Sequence, residues 1–169
     1  MANKVKISLR SIQVLCNTLC TALISDVISD AFAGNPSSVN YAIFVCVIVW
    51  IVCLYGMAGT LKESILLPKA ILILDSVATI FVFIVGVVLA AKLRVHSCRK
   101  KAYLLSNSLV NGSHNPSKRC HELQAATAFF WFLFLSLVGS LIIDVVAGGD
   151  IVSLRPGRIR RSVLSMSQV

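Results

Sequence analysis

Acidic side chains are scarce in this chain: seven Asp and Glu among 169 residues, against sixteen Lys and Arg. Histidine is scarcer still. His96, His114 and His121 all fall in one segment, without metal-ligand spacing, and Glu122 beside His121 does not make a ligand set. No Cys-x-x-Cys pair is present; the nearest spacing, Cys16 to Cys20, is one residue too long and lies in an apolar run. There is no P-loop, no dinucleotide fingerprint and no serine nucleophile elbow. These absences leave nothing for a metal, a cofactor or an enzyme reaction to be built on, so the expectation is a non-enzymatic protein without cofactors.

What fills the chain instead is apolar sequence. Hydrophobic residues make up 57% and the mean hydropathy is +0.85, a balance that would leave a soluble domain with too much exposed apolar surface. Four runs, about Leu9–Ile28, Tyr41–Met57, Ala70–Ala91 and Ala125–Val146, are each near the ~20 residues that cross a hydrocarbon core as a helix. A membrane strand needs only about ten residues of alternating polarity, and these runs are longer and apolar on both faces. The fold class is therefore an all-α membrane protein, a four-transmembrane-helix bundle. Residues 1–8 form a short basic lead, 9–147 the membrane domain and 148–169 a basic tail. Pro68 is placed to open the third helix, and Gly148-Gly149 is expected to stop the fourth. The alternative for span one is a cleaved signal peptide ending at Ala31-Phe32-Ala33. Asp26 and Asp30 and the length of the run favour a retained span.

The net charge of +9 sits at the flanks of the spans, where it reads as topology and headgroup contact rather than nucleic-acid binding. Both termini share one side, with nine basic residues against seven on the other. Two features of the third loop break the near tie. Asn111-Gly112-Ser113 is a glycosylation acceptor triplet, readable only in the lumen. Cys98 and Cys120 bracket the same loop, as an oxidised pair in an extracellular loop would. The termini are thus expected in the cytosol and the third loop outside.

Few residues inside the spans can carry function. Asp75 is the most conspicuous, and an ionisable group in a membrane helix is a functional candidate by default. With no Lys, Arg or His expected in a span interior to pair with it, it would be protonated, bonded to Ser76 or Thr79, or wetted near the inner headgroups. A structural carboxylate is favoured over a proton relay, and Asp144 is read the same way. Gly86 with Ala90, and Ser136 with Ser140 beside Gly139, are spaced for close helix contacts, within the bundle or between copies, which makes a homo-oligomer a candidate state. Phe129-Phe130-Trp131-Phe132 and Phe134 read as an aromatic anchor or a contact for lipid or sterol. Arg155, Arg158, Arg160 and Arg161 would hold the tail on an anionic inner leaflet, at about 1 kcal/mol per basic residue. Phosphorylation at Ser162 or Ser165 would weaken that contact by adding about −1.5 to −2 charge.

The order of short motifs resembles the MARVEL-domain tetraspans, and within them the fungal non-classical export family of eisosome plasma-membrane proteins. The residues that carry the likeness are Val39-Asn40-Tyr41, Leu54-Tyr55-Gly56, Leu74-Asp75, His96-Ser97-Cys98, Arg119-Cys120 leading into Gln124-Ala125-Ala126, and the closing Ser167-Gln168-Val169. The resemblance implies a multi-pass organiser of eisosome microdomains in the plasma membrane. Its implied partners are membrane lipids, sphingolipid or sterol among them, and eisosome proteins, with a part in unconventional export. The more basic lead and the spacing of the tail depart from the family pattern. The alternative is a small transporter or channel subunit using Asp75.

Overall fold

A computed structural model describes residues 2–32, 34–61, 68–94, 98–99 and 101–153. Among these described residues five helices follow in order: α1 (Ala2–Ser29), α2 (Ser37–Leu61), α3 (Pro68–Leu93), the short α4 (Lys101–Ser106) and α5 (Pro116–Ser153). All but α4 are long and apolar enough to cross a bilayer, over Lys4–Ser29, Ser37–Gly59, Lys69–Leu93 and Pro116–Val146. Their outward faces carry large apolar side chains: Leu15, Ile51, Leu54, Ile73, Ile80 and Leu135 are each 60% exposed or more. A surface of this kind is at home only in lipid.

The helix ends follow local chemistry. Gly34 takes a left-handed φ of +85° in the turn after α1, and Pro36 carbonyl accepts from Val39 N–H at 2.9 Å as α2 begins. Asn115 caps α5: its Oδ1 accepts from Lys118 N–H at 3.3 Å, and Pro116 occupies the first helical position, where a missing N–H costs nothing. This cap starts α5 nine residues before the apolar run at Ala125, so the helix projects beyond the hydrocarbon. At the other end Gly148-Gly149 does not stop α5, which runs on to Ser153. Each glycine costs about 1 kcal/mol relative to alanine in a helix, which weakens a long helix without ending it. The basic lead is likewise helical, since α1 starts at Ala2.

The bundle is a ring. α1 packs against α2 and α5, and α3 packs against the same two, so α1 and α3 lie diagonally opposite with no close backbone approach among the described residues. Small and branched side chains fill the centre, among them Cys20, Val45, Val49, Val82 and Leu137, all fully buried. Glycines and ring edges fit the seams inside one molecule: Gly86 faces Trp131 across α3–α5, and Gly139 faces Leu9 across α1–α5. Phe83, Trp131 and Phe134 cluster on the α3–α5 seam, with Trp131 edge-to-face to both phenylalanines and the Phe83 to Trp131 centroids 6.0 Å apart.

Candidate functional site: a cross-bundle polar seam

Span one is the least apolar of the four, and its polar residues fall in register. Lys6, Arg10, Gln13 and Asn17 are spaced four, three and four apart, which puts them on one helical face. That face turns inward and bonds to every other spanning helix. Lys6 Nζ lies 2.7 Å from Asp144 Oδ1 on α5. Arg10 grips Asp75 on α3 with both ends of its fork: Nη1 donates to Oδ1 at 2.8 Å and Nη2 to Oδ2. Arg10 Nη1 also donates to Gln13 Oε1 at 3.0 Å. Gln13 Nε2 in turn donates to Ser140 Oγ at 2.8 Å and to the Ser136 carbonyl at 3.2 Å on α5. Asn17 Nδ2 donates to the Cys46 carbonyl on α2 at 3.1 Å.

The Arg10–Asp75 pair spans the diagonal of the ring. Arg10 reaches it beside the backbone of α2 at Gly56, where a Cβ would sit 2.7 Å from Arg10 Cζ and 2.8 Å from Nε. Any side chain there collides with the guanidinium, so Gly56 is a condition of the pair. Arg10 is 5% exposed and Asp75 0%. Two such charges are tolerable away from water only when bidentate geometry and further hydrogen bonds satisfy them.

This corrects the expectation that Asp75 has no cationic partner in a span. Arg10 stands at the very start of the first apolar run, and α1 carries it inside the bundle. The hydroxyls proposed for Asp75 are used elsewhere: Ser76 donates to the Leu72 carbonyl and Thr79 to the Asp75 carbonyl. Asp144 also has a partner, Lys6. Sequence reasoning missed Lys6, Gln13 and Asn17, although the four-three-four spacing of polar residues in span one is a readable signal. A transport carboxylate needs water access and a free lone pair. Asp75 is enclosed with both oxygens engaged, which speaks against a flux route through it.

The opposite end of the bundle is capped. Residues 101–115 fold over it, burying Leu104, Leu109 and Val110. They bind the end of α1 through Phe32 N–H to the Gly112 carbonyl at 3.1 Å and His114 N–H to the Asp30 carbonyl at 3.4 Å. A disulfide joins Cys98 and Cys120, with Cα atoms 5.8 Å apart. Beside it Arg119 is buried and donates to Asn35 Oδ1 at 3.3 Å. Lys118 pairs with Asp26 at 2.9 Å and with Glu122 at 3.3 Å. Asn111 is exposed within this cap. Arg155, Arg158, Arg160, Arg161, Ser162 and Ser165 lie outside the described residues, as does His96.

The sequence profile of the MARVEL family, described as a membrane-associating domain, matches residues 4–143. The chain belongs to the MARVEL family. The matched region holds Lys6, Arg10, Gln13, Asp75 and Ser140, together with both disulfide cysteines. The MARVEL chain is 35% identical over 144 residues to Non-classical export protein 2 homolog 1 of Saccharomyces cerevisiae, covering 80% of this chain and 81% of that one. It is 32% identical to Non-classical export protein 2 of the same yeast, over 83% of this chain and 82% of that one. A Schizosaccharomyces pombe homolog of the latter is 30% identical, over 80% and 74%. No solved structure matches the MARVEL chain.

Proposed function

We propose that this MARVEL tetraspan is a non-enzymatic organiser of plasma-membrane microdomains of the eisosome kind, with both termini in the cytosol. The observation that carries the reading is the use made of the charges within the helix bundle. Arg10, Asp75, Lys6 and Asp144 are consumed in joining helices to one another, and the outward faces are apolar. The Arg10–Asp75 pair is enclosed, and chemistry there has no access for a substrate. What the protein presents to its surroundings is lipid-facing surface, a capped outer end and a basic inner tail. Membrane lipids are then its ligands: anionic lipid at Arg155, Arg158, Arg160 and Arg161, and sphingolipid or sterol along the spans. Eisosome proteins are its partners. The names of its yeast relatives support a part in non-classical export, which follows here from domain organisation and retention of other membrane proteins.

The test is imaging of a tagged copy at native expression beside an eisosome marker. Co-localised patches at the cell surface are expected, with patch assembly altered when residues 154–169 are removed. A diffuse or endoplasmic-reticulum signal overturns the reading. Binding of the tail peptide to vesicles containing anionic lipid should fall on phosphorylation at Ser162 or Ser165, and unchanged binding removes that switch.

A further inference from the structure

The acceptor triplet in the cap is engaged residue by residue. Asn111 Nδ2, the atom that would receive a glycan, donates to the Leu105 carbonyl at 2.8 Å. The Asn111 backbone N–H is bound to the Asn107 carbonyl at 2.8 Å, and the Gly112 carbonyl accepts from Phe32 N–H at 3.1 Å. Gly112 is held at a φ of +124°. Ser113 forms an antiparallel bridge with Ala31 at the end of α1, and its side chain is only 4% exposed. A transferase reads such a triplet in an open chain, with the asparagine amide and the serine hydroxyl both presented to it. Here the amide is bonded, the hydroxyl is buried and the backbone between them is seated on the segment that follows α1. The disulfide joins Cys98 to Cys120, at a sequence separation of 22, around the stretch that holds all three, and Leu109 and Val110 anchor it from inside.

We propose that Asn111 accepts a glycan only before the disulfide-pinned cap has closed, and that the closed cap shields it. The transfer replaces one Nδ2–H of Asn111 with a bond to C1 of the sugar of a lipid-pyrophosphate-linked oligosaccharide. The sugar–phosphate bond breaks, the pyrophosphate lipid leaves and the amide proton passes to a base of the transferase. On a folded chain this step requires breaking the Asn111–Leu105 bond and lifting Ser113 off Ala31. Glycan occupancy therefore reports whether the cap closed before the transferase reached it. The inference rests on the outward third loop of the proposed topology.

The full chain is expressed in cells with a eukaryotic secretory pathway, and the glycan is read as a gel shift removed by endoglycosidase and absent in Asn111→Gln. Wild type should run mainly without the shift. Two independent openings of the cap should make the shifted band the major one: Cys98→Ser with Cys120→Ser, and Leu109→Ala, which keeps the disulfide. A fully glycosylated wild type overturns the proposal, as do opened variants no more glycosylated than wild type. A flexible linker with its own acceptor triplet, inserted after Arg99 in the double serine variant, separates the two ways of failing. If the linker is glycosylated and Asn111 is not, the loop is outside and the shielding idea is wrong. If both stay bare, the loop faces the cytosol and the topology falls together with the proposal.

Discussion

Replacing Arg10 by methionine leaves the Asp75 carboxylate enclosed without a counter-ion. Replacing Asp75 by leucine strands the guanidinium in the same place. Removing one member of a buried pair costs about 3–5 kcal/mol, and at 0% and 5% exposure neither survivor has water to fall back on. Replacing both, as Arg10→Met with Asp75→Leu, leaves no uncompensated charge, and apolar substitution of a whole buried pair is often near neutral. The double variant still lacks the donor to Gln13 Oε1, a loss of about 1 kcal/mol. It should thus sit only slightly below wild type, while each single variant loses on the order of a hundredfold or more in folding equilibrium, at tenfold per ~1.4 kcal/mol. Equilibrium unfolding of all four chains in mixed micelles, followed by circular dichroism, gives the cycle. Losses that simply add, or an Asp75→Leu chain as stable as wild type, would refute the claim that these groups form one diagonal pair.

Three further outcomes follow from the same geometry. Gly56→Ala should destabilise by about 1–3 kcal/mol, the usual range for overpacking, and this cost should shrink in the Arg10→Met background, because the obstructing group is then gone; an equal cost in both backgrounds would mean that Gly56 serves something else. Gln13→Leu removes the link from Arg10 to Ser140 and leaves buried partners unpaired, at about 1–3 kcal/mol, measurable in the same unfolding assay, whereas Ser11→Ala on the exposed face should change little. Opening the disulfide by Cys98→Ser with Cys120→Ser should cost about 3 kcal/mol for a loop of this length. It would be seen as a lower thermal midpoint for the purified protein, and a midpoint indifferent to both substitution and reductant would count against the pinned cap.

The spans were legible because an uninterrupted apolar run has one use in a chain of this composition. Their ends were less so. Hydropathy marks where lipid begins, and α5 begins where Asn115 and Pro116 cap it, several polar residues earlier. Gly148-Gly149 misled for the converse reason: a helix-weakening pair is a stop signal only when nothing upstream sustains the helix. Asp75 stood out in sequence as a charge in an apolar run, but its partner did not. Arg10 lies close enough to the N-terminus to pass for a topology signal, and only the recurrence of Lys6, Arg10, Gln13 and Asn17 on one face distinguishes an inward seam from a basic lead. Gly56 was visible as part of a motif, yet its reason is a contact with a side chain from another span. Cys98 and Cys120 were readable as brackets around a loop, while the packing of Leu109 and Val110 beneath it depends on tertiary structure.

Chain order gives the diagonal pair a consequence for biogenesis. Arg10 is synthesised 65 residues ahead of its carboxylate, and Lys6 waits until the last span emerges for Asp144. The first helix is therefore made before either carboxylate that its Lys6 and Arg10 will pair with, and its one acid, Asp26, lies near its far end and pairs with Lys118 instead. A nascent chain arrested before its fourth helix would keep Lys6 unneutralised, so unfinished translation and unfinished charge balance are the same condition, visible to any machinery that surveys the membrane for stray cations.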